Sequence, residues 1–156
     1  MKNITFRFAK TEDIESLIEL RILMQCEVNG TDLSSVPENY KELVREYFLT
    51  NLSNGFYQCA IALSEDKIIA TAGVCFYQKP PSINGGSGLV GYVTNVYTLE
   101  SFRKKGIGST LMKKLNELAT DKRVDKLHLG ATVDGDSIYR SVGYIEPRFL
   151  NLEIKF

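Results

Sequence analysis

The sequence predicts one α/β domain, in which a mixed, mostly antiparallel sheet carries helices on both faces. Two apolar segments, residues 56–63 and 68–77, are joined by four polar residues, and this pattern predicts an antiparallel hairpin. Farther along, a strand–helix–strand order between residues 89 and 131 predicts a right-handed crossover between parallel strands. Two amphipathic patterns before the hairpin predict helices, so both faces of the sheet can be covered.

The N-terminal third is predicted to form a strand followed by two helices. Residues 4–8 alternate between apolar and polar side chains, as in a half-buried strand. Thr11 is the expected N-cap of the first helix, which should end near Gly30. Residues 35–38 have the S-x-x-E form of a capping box, which predicts a second helix that stops near Gly55.

The C-terminal half should alternate strands and helices after a turn-rich loop. The predicted elements are a loop at 79–88, a strand from about 89 to 98, a helix that begins at Gly106, a strand at 127–131, a short helix at 134–141 and a final alternating strand at 150–156. The helix after Gly106 is predicted because apolar residues recur there at helical spacing, and they are Ile107, Leu111, Met112, Leu115, Leu118 and Ala119. The predicted element order is β-α-α-β-β-β-α-β-α-β.

Composition narrows the classes of function. The chain has 156 residues, which fits a single domain at 1–156, and a formal net charge of +0. Zero net charge disfavours a dedicated binder of nucleic acid or of an anionic membrane. Three cysteines, Cys26, Cys59 and Cys75, lie far apart without metal-ligand spacing, which favours reduced thiols. With no signal-peptide pattern and no membrane-spanning apolar run, the expected location is cytoplasmic.

A candidate phosphate site lies between the strand at 89–98 and the following helix. Arg103, Lys104 and Lys105 precede Gly106-Ile107-Gly108, where the helix begins. A helix N-terminus presents unpaired N–H groups and a partial positive charge, and both favour a phosphate. A dinucleotide fingerprint would need glycine at position 111, which is leucine, and the G-x-x-x-x-G-K-[ST] motif of nucleotide-hydrolysing proteins is absent.

Two segments together resemble a known family. Residues 103–108 match R-x-x-G-x-G, the pyrophosphate signature of the GCN5-related N-acetyltransferases (GNAT). Residues 137–144 are similar to the later segment of that family, in which a tyrosine, here Tyr139, lies four residues before a Gly-aromatic pair. The spacing and the element order also agree, so the resemblance covers nearly the whole chain. It implies a GNAT-like sheet in which a splayed pair of parallel strands forms an acyl-CoA cleft.

The resemblance assigns roles to individual residues. Tyr139 would lie near the thioester sulfur of acetyl-CoA and donate a proton as negative charge develops there. The strand residues that would pair with the pantetheine amides are Val96, Tyr97 and Thr98. The residues that would hold the pyrophosphate, through backbone N–H groups, a hydroxyl and added charge, are Arg103, Lys104, Lys105, Gly106, Ile107, Gly108, Ser109 and Thr110. No metal is implied.

The chain departs from the family pattern in places. The strand 89–98 has no carboxylate or histidine to act as a base, and its polar side chains are Tyr92, Thr94 and Asn95. Either water links the amine to an acid such as Glu27 or Glu100, or the amine arrives neutral. Thr132 stands where many relatives have asparagine. His128 is expected to be structural rather than a base.

The function that the sequence favours is acetyl-CoA-dependent N-acetylation of a primary amine, by direct attack without an acyl-enzyme. A non-catalytic module that binds or senses acyl-CoA is the alternative, and a nucleic-acid binder using residues 103–105 is disfavoured by the net charge. The acceptor site should lie between the two N-terminal helices and the loop 79–88. Tyr40 and Tyr47 are assigned to the core stripe of the second helix. The final strand could pair with a second copy, so a homodimer is expected.

Overall fold

The computed structural model describes residues 3–156 and contains a five-stranded sheet in the order β1-β2-β3-β4-β5. The strands are β1 Ile4–Phe8, β2 Tyr57–Ser64, β3 Lys67–Gln78, β4 Leu89–Thr98 and β5 Lys126–His128. The helices are α1 Ile14–Asn29, α2 Tyr40–Asn54, α3 Ile107–Asp121 and α4 Asp136–Ser141, with short 3₁₀ turns at Thr11–Asp13, Leu33–Ser35 and Glu100–Phe102. All neighbouring strands are antiparallel except β4 and β5, which are parallel. The predicted mixed, mostly antiparallel sheet is confirmed.

Helices cover both faces of the sheet, as predicted. On one face, α1 and α2 pack on alternate residues of β2, such as Cys59 and Ile61. On the other face, α3 packs on the intervening small residues Ala60 and Ala62. This alternation follows from the two-residue period of a strand, which directs successive side chains to opposite faces. Small residues toward α3 let the helix lie close to the sheet.

The predicted hairpin is confirmed, and its turn is tight. Ser64 pairs with Lys67, so only Glu65 and Asp66 lie between the two strands. Both turn residues have positive φ, 51° and 63°, which matches the type of two-residue turn that suits the twist of a hairpin.

A bulge in β4 shapes the middle of the sheet. Thr71 pairs with Tyr97 and Gly73 pairs with Thr94, so two residues of β4 lie opposite Ala72 alone. Asn95 lies in this bulge with a φ of 54°. Pairing between β4 and β5 ends just before the bulge, at the partners Tyr92 and His128. A bulge increases local twist and bends its strand, and this accounts for the separation of β4 from β5.

The predicted ends of α1 and α2 are correct, but both predicted N-caps are wrong. Gly30 and Gly55 end the helices in the left-handed conformation, with φ of 62° and 79°. Thr11 lies in a 3₁₀ turn and does not cap α1. Ser35 also lies in a 3₁₀ turn, because a further turn from the Pro37 carbonyl to the Tyr40 N–H (3.0 Å) delays the start of α2.

Asp13, the residue before α1, fixes the helix to β1. Its carboxylate accepts hydrogen bonds from the Lys10 N–H (2.7 Å) and from both terminal nitrogens of Arg7 (2.7 and 2.9 Å). Asp13 is buried, and the Arg7 hydrogen bonds hold its carboxyl pKa below the ordinary value. Arg7 lies in β1, on the other side of a turn from Asp13, and rules for helix caps consider only the residues next to the helix. Those rules therefore did not predict the contact between Asp13 and Arg7.

The final strand is a wrong prediction. Residues 150–156 form no strand, and Leu150, Leu152 and Ile154 are 85%, 86% and 77% exposed. The strand predicted at 127–131 is also shorter, since β5 ends at His128. An alternating pattern predicts an apolar face but does not supply a neighbouring strand, and none within residues 3–156 pairs with this segment. Across residues 3–156, no helix is long and apolar enough to cross a membrane.

Candidate active site at the splayed strands

The N-terminus of α3 forms a cradle of backbone donors. The first intrahelical hydrogen bond runs from the Thr110 N–H to the Gly106 carbonyl (3.1 Å). The N–H groups of residues 107–109 have no acceptor within the described chain, so three donors remain at the positive end of the helix. Lys104 and Gly106 bend the loop through the left-handed region, with φ of 58° and 76°. This donor set fits a phosphate or pyrophosphate group.

The two glycines of the cradle, Gly106 and Gly108, differ in backbone conformation and surroundings. Gly106 has positive φ and open space where a side chain would begin, so its backbone conformation is what requires glycine. Gly108 has ordinary helical geometry, and a Cβ there would meet the Cδ1 atom of Ile138 at 3.4 Å. Ile138 belongs to α4, so α4 packs against the start of α3 beside Gly108. The next residue on α4 is Tyr139.

Arg103 ties the cradle loop to β4 and α1. Its Nε donates to the Thr98 carbonyl (2.8 Å), and its Nη2 forms an ion pair with Glu27 Oε2 (2.7 Å). Its guanidinium lies 5.4 Å from the centre of the Tyr97 ring, and the Tyr97 hydroxyl donates to the same Glu27 carboxylate (3.2 Å). The Arg103 hydrogen bond lowers the pKa of Glu27. Glu27 is therefore a poor proton acceptor.

The two lysines of the loop differ in their contacts. Lys105 donates its Nζ to the Ser101 carbonyl (2.8 Å) and lies over the Phe102 ring. Lys104 is exposed. The positive charges of Lys104 and Lys105 therefore lie beside the cradle, where they can attract an anion but do not fix its orientation.

Beyond Tyr92, β4 has no strand on its β5 side within the described residues. The strand residues implied by the resemblance, Val96, Tyr97 and Thr98, all lie in this open stretch, with Val96 in the bulge and the other two past it. A strand edge with free backbone groups can pair with the amides of an extended ligand. The Thr98 carbonyl already accepts the Arg103 hydrogen bond, which leaves it one further lone pair.

Tyr139, on the helix α4, has a free hydroxyl. Its ring is half-buried and lies 6.0 Å from the ring of Tyr144, and its hydroxyl has no hydrogen-bond partner among residues 3–156. Burial raises the pKa of the Tyr139 phenol, which keeps it protonated at neutral pH. The side chain lines a cavity of about 980 Å³ together with His128 and Asn116. A neutral phenol without a partner can donate a proton or a hydrogen bond to a ligand.

His128 has structural partners, as the sequence led us to expect. Its Nε2 is hydrogen-bonded to the Tyr77 hydroxyl (2.6 Å), and its ring lies 5.2 Å from that of Tyr92. Burial, followed by the positive charges of Lys126 and Lys79, lowers the pKa of His128. The imidazole is therefore neutral at neutral pH.

A second cavity, of about 290 Å³, lies between the helices α1 and α2 and the sheet, and we call it the helix cavity. Its lining residues are Arg21, Tyr40, Leu43, Val44, Tyr47, Phe48, Cys75, Tyr92, Thr94 and Asn95. The two N-terminal helices, to which the sequence assigns the acceptor site, both line this cavity, whereas the loop 79–88 lines no part of it. Ser87 and Gly88 instead donate their N–H groups to Asp125 (3.0 and 2.6 Å).

Tyr40 and Tyr47 pack on the core, as the sequence predicts, but both also line the helix cavity. Tyr47 packs its ring 5.7 Å from that of Tyr57, yet it remains 40% exposed and lines the helix cavity with Tyr40. Helical spacing shows that these tyrosines share the inward face of α2. It does not show that the sheet leaves part of that face uncovered.

Sequence reasoning also missed Arg21, which joins the helix cavity to the bulge. An Arg21 terminal nitrogen donates to Asn95 Oδ1, and Asn95 Nδ2 donates to the hydroxyl of the buried Tyr57 (2.7 Å). Asn95 itself is 6% exposed. The sequence does contain one indication that Arg21 is unusual. It lies four residues after Leu17, which places it on the apolar face of α1.

Comparison with known proteins identifies related folds. The family model described as Acetyltransferase (GNAT) family matches residues 21–144. No curated protein gives a significant match.

Among solved structures, a predicted acetyltransferase from Clostridium acetobutylicum with acetyl-CoA has a TM-score of 0.83 and 27% identity, over 97% of this chain and 96% of that one. A GCN5-related N-acetyltransferase from Ralstonia eutropha JMP134 also has a TM-score of 0.83, with 23% identity over 97% and 99%. Glucosamine-6-phosphate N-acetyltransferase from Arabidopsis thaliana has a TM-score of 0.74, with 21% identity over 99% of each chain. The family match spans the bulge, the cradle and the helix α4.

Proposed function

Because this chain belongs to the GNAT family of acetyltransferases, we propose that it transfers the acetyl group of acetyl-CoA directly to a primary amine. The observation that carries the proposal is the docking of α4 on the cradle. Ile138 packs beside Gly108, and the adjacent Tyr139 has an unpaired hydroxyl. One short helix thus connects a phosphate-binding site to a proton donor.

Acetyl-CoA as the donor is supported by the cradle and by a relative. The free N–H groups at 107–109 fit its pyrophosphate, with Thr110, Lys104 and Lys105 nearby. The open edge of β4 at Val96 and Tyr97 fits its pantetheine amides. The Clostridium relative was solved with acetyl-CoA, and its fold covers nearly the whole of this chain.

Arg103 has a positioning role in this proposal. Its ion pair with Glu27 and its hydrogen bond to Thr98 fix the loop between β4 and α3, so it orders the cradle rather than reaching the phosphate.

When bound, acetyl-CoA supplies an acetyl group activated as a thioester. Tyr139 gives its hydroxyl proton to the sulfur as the C–S bond breaks and the amine nitrogen bonds to the acetyl carbon. The proton lost by the amine returns Tyr139 to its neutral form through solvent. An ordinary phenol is a weaker acid than a thiol, with a pKa of about 10 against about 8.5, and burial raises the pKa of Tyr139 further. Tyr139 therefore donates its proton only as negative charge develops on the sulfur.

Release of thiol from acetyl-CoA tests this proposal. The purified protein should release CoA thiol only when an amine is present, in a panel that includes amino acids, amino-acid amides and polyamines. Binding of acetyl-CoA without thiol release for any amine would support the non-catalytic acyl-CoA module instead.

We also propose a homodimer formed through the C-terminal segment. Residues 150–156 alternate apolar and polar, expose their apolar side chains, and have no strand partner in the described chain. In the part of the chain that the structure describes, β5 has β4 on one side and no strand on the other. A second copy could supply a strand to that edge, beside the cavity that contains Tyr139. The three free cysteines favour a reducing compartment, and we propose the cytoplasm.

A further inference from the structure

The helix cavity is apolar but contains one cation. Of the ten described residues that line it, seven are largely apolar or aromatic, and Arg21 is the only charged one among those ten. Within residues 3–156, no aspartate or glutamate lines this cavity. The tyrosine hydroxyl of Tyr47 is hydrogen-bonded to Cys75 Sγ (3.0 Å), and burial raises its pKa, so it adds no negative charge.

Arg21 is incompletely satisfied by the protein. Its one hydrogen bond in the described chain goes to the neutral amide of Asn95, and it has no ion pair within residues 3–156. A guanidinium has five N–H donors, and a half-buried cation without a counter-ion is unfavourable. A carboxylate suits this group because two parallel hydrogen bonds can form between them.

Asn95 holds Arg21 in place. The amide lies in the bulge of β4 and donates on its other side to the Tyr57 hydroxyl, which is buried in the core. This chain of contacts directs the guanidinium toward the part of β4 that leaves β5. That is also where the open edge begins, so a ligand held by Arg21 would lie beside the proposed thioester.

We propose that the acceptor is an amino acid-like molecule with a carboxylate, a primary amine and an apolar or aromatic side chain. This inference rests on the proposed acetyl transfer and names its substrate class. The carboxylate would pair with Arg21, and the side chain would lie among Tyr40, Tyr47 and Leu43. A cavity of about 290 Å³ has room for one side chain of that size and lies near the lower end of small-molecule sites.

The positive charge of Arg21 also reduces the need for a carboxylate or histidine base on β4. A cation close to the amine disfavours the ammonium form and lowers its pKa, which increases the fraction of reactive neutral amine. It also disfavours acceptors with several positive charges, because the helix cavity offers them no acidic side chain. Polyamines should therefore be poor substrates.

Matched acceptors test the inference with the wild-type protein. L-Phenylalanine and L-leucine are compared with their amides, with phenethylamine and with spermidine, by thiol release at saturating acetyl-CoA. Each amino acid should have a kcat/KM at least about tenfold above that of its amide, which is a small effect for a carboxylate paired with an arginine. Amides or phenethylamine that react as well as the acids, or a preference for spermidine, would overturn it.

Variants at Arg21 locate the preference. Arg21→Gln keeps a donor for Asn95 but removes the charge, so KM for L-phenylalanine should rise about tenfold or more while KM for phenethylamine stays unchanged. Arg21→Lys should restore part of the preference. Arg45→Gln is the matched control, because Arg45 does not line the cavity and pairs with Glu15 and Glu42. Equal preference in Arg21→Gln and wild type would assign the carboxylate to another residue and overturn the proposal.

A binding measurement separates this inference from the proposed reaction. Calorimetry with 3-phenylpropanoate, in the presence of CoA, should show binding to the wild type and to Arg45→Gln and its loss in Arg21→Gln. Absence of thiol release with every amine would remove the acetyl transfer, whereas this titration still decides whether the cavity takes a carboxylate. No binding to the wild type would overturn the carboxylate site. If Arg21→Gln does not fold, the acid–amide comparison in the wild type decides.

Discussion

At the scale of single residues, Tyr139 and its neighbour Tyr144 allow a controlled comparison. Tyr139→Phe should lower kcat about 100-fold or more, since general-acid contributions are of that order, and leave the Kd for acetyl-CoA unchanged. The measurement is thiol release beside calorimetric titration. Tyr144→Phe is the control, because that hydroxyl makes only a long hydrogen bond to Asn116 (3.4 Å). Unchanged turnover in Tyr139→Phe would remove this hydroxyl from the mechanism.

The two glycines of the cradle should respond differently to alanine. Gly106→Ala forces a side chain into the left-handed region, which costs about 1–2 kcal/mol and disturbs the loop. We expect a raised KM for acetyl-CoA and a lower free energy of unfolding. Gly108→Ala meets Ile138 at an ordinary contact distance, so it should be close to neutral in both measurements. Equal effects of the two substitutions would contradict the distinct roles assigned here.

Local sequence was sufficient to predict the helix that begins after Gly106 and the short helix that carries Tyr139, and insufficient for the helix cavity. Residues 103–108 are contiguous, and a strand followed by a helix sets their geometry. Arg21 and Asn95 are 74 residues apart and meet only because α1 lies across the bulge. A sequence pattern can mark Arg21 as a cation on an apolar face, but it cannot name Asn95 as the partner.

At the scale of elements, the joint between β1 and α1 should be sensitive to acid. The folded-state pKa of Asp13 is depressed by Arg7, so this pair stabilises the protein above the unfolded-state pKa of about 3.9. That contribution is lost as pH falls from about 4 through the folded-state value. Asp13→Asn should cost about 1.5–3 kcal/mol at pH 7, as expected for hydrogen bonds to a charged group, and less at pH 3.

Chemical unfolding at both pH values measures this difference. Asp136→Asn is the control, since Asp136 makes an exposed ion pair with Arg140 on α4 and should cost no more than about 1 kcal/mol. A loss in Asp13→Asn that is the same at pH 3 and pH 7 would show that the ion pair is not what stabilises the joint.

Prediction was less successful at the element ends than in the element interiors. Hydrophobic spacing located α1, α2, α3 and the hairpin, because those patterns extend over many residues. The N-caps at Thr11 and Ser35 failed, because a proline turn and the Asp13–Arg7 pair decide where the helices begin. A cap depends on a few local contacts that a spacing pattern does not contain.

At the scale of the whole molecule, the C-terminal segment provides a test of assembly. Removing residues 150–156 should convert a dimer into a monomer, because the proposed strand for the edge of β5 is lost. Light scattering after gel filtration measures the mass of both proteins, and circular dichroism checks that the truncated chain is folded. A monomeric full-length protein, or a truncated protein that remains dimeric, would refute this assembly.

Direct transfer of the acetyl group is the central claim, and intact-mass spectrometry tests it most directly. The protein is mixed first with acetyl-CoA alone and then with L-phenylalanine, while thiol and N-acetyl product are quantified. The account predicts an unmodified protein mass throughout and one N-acetyl product for each thiol released. An added acetyl mass on the protein that decays when the amine is added would contradict it, and Cys75 in the helix cavity would then be the first nucleophile to examine.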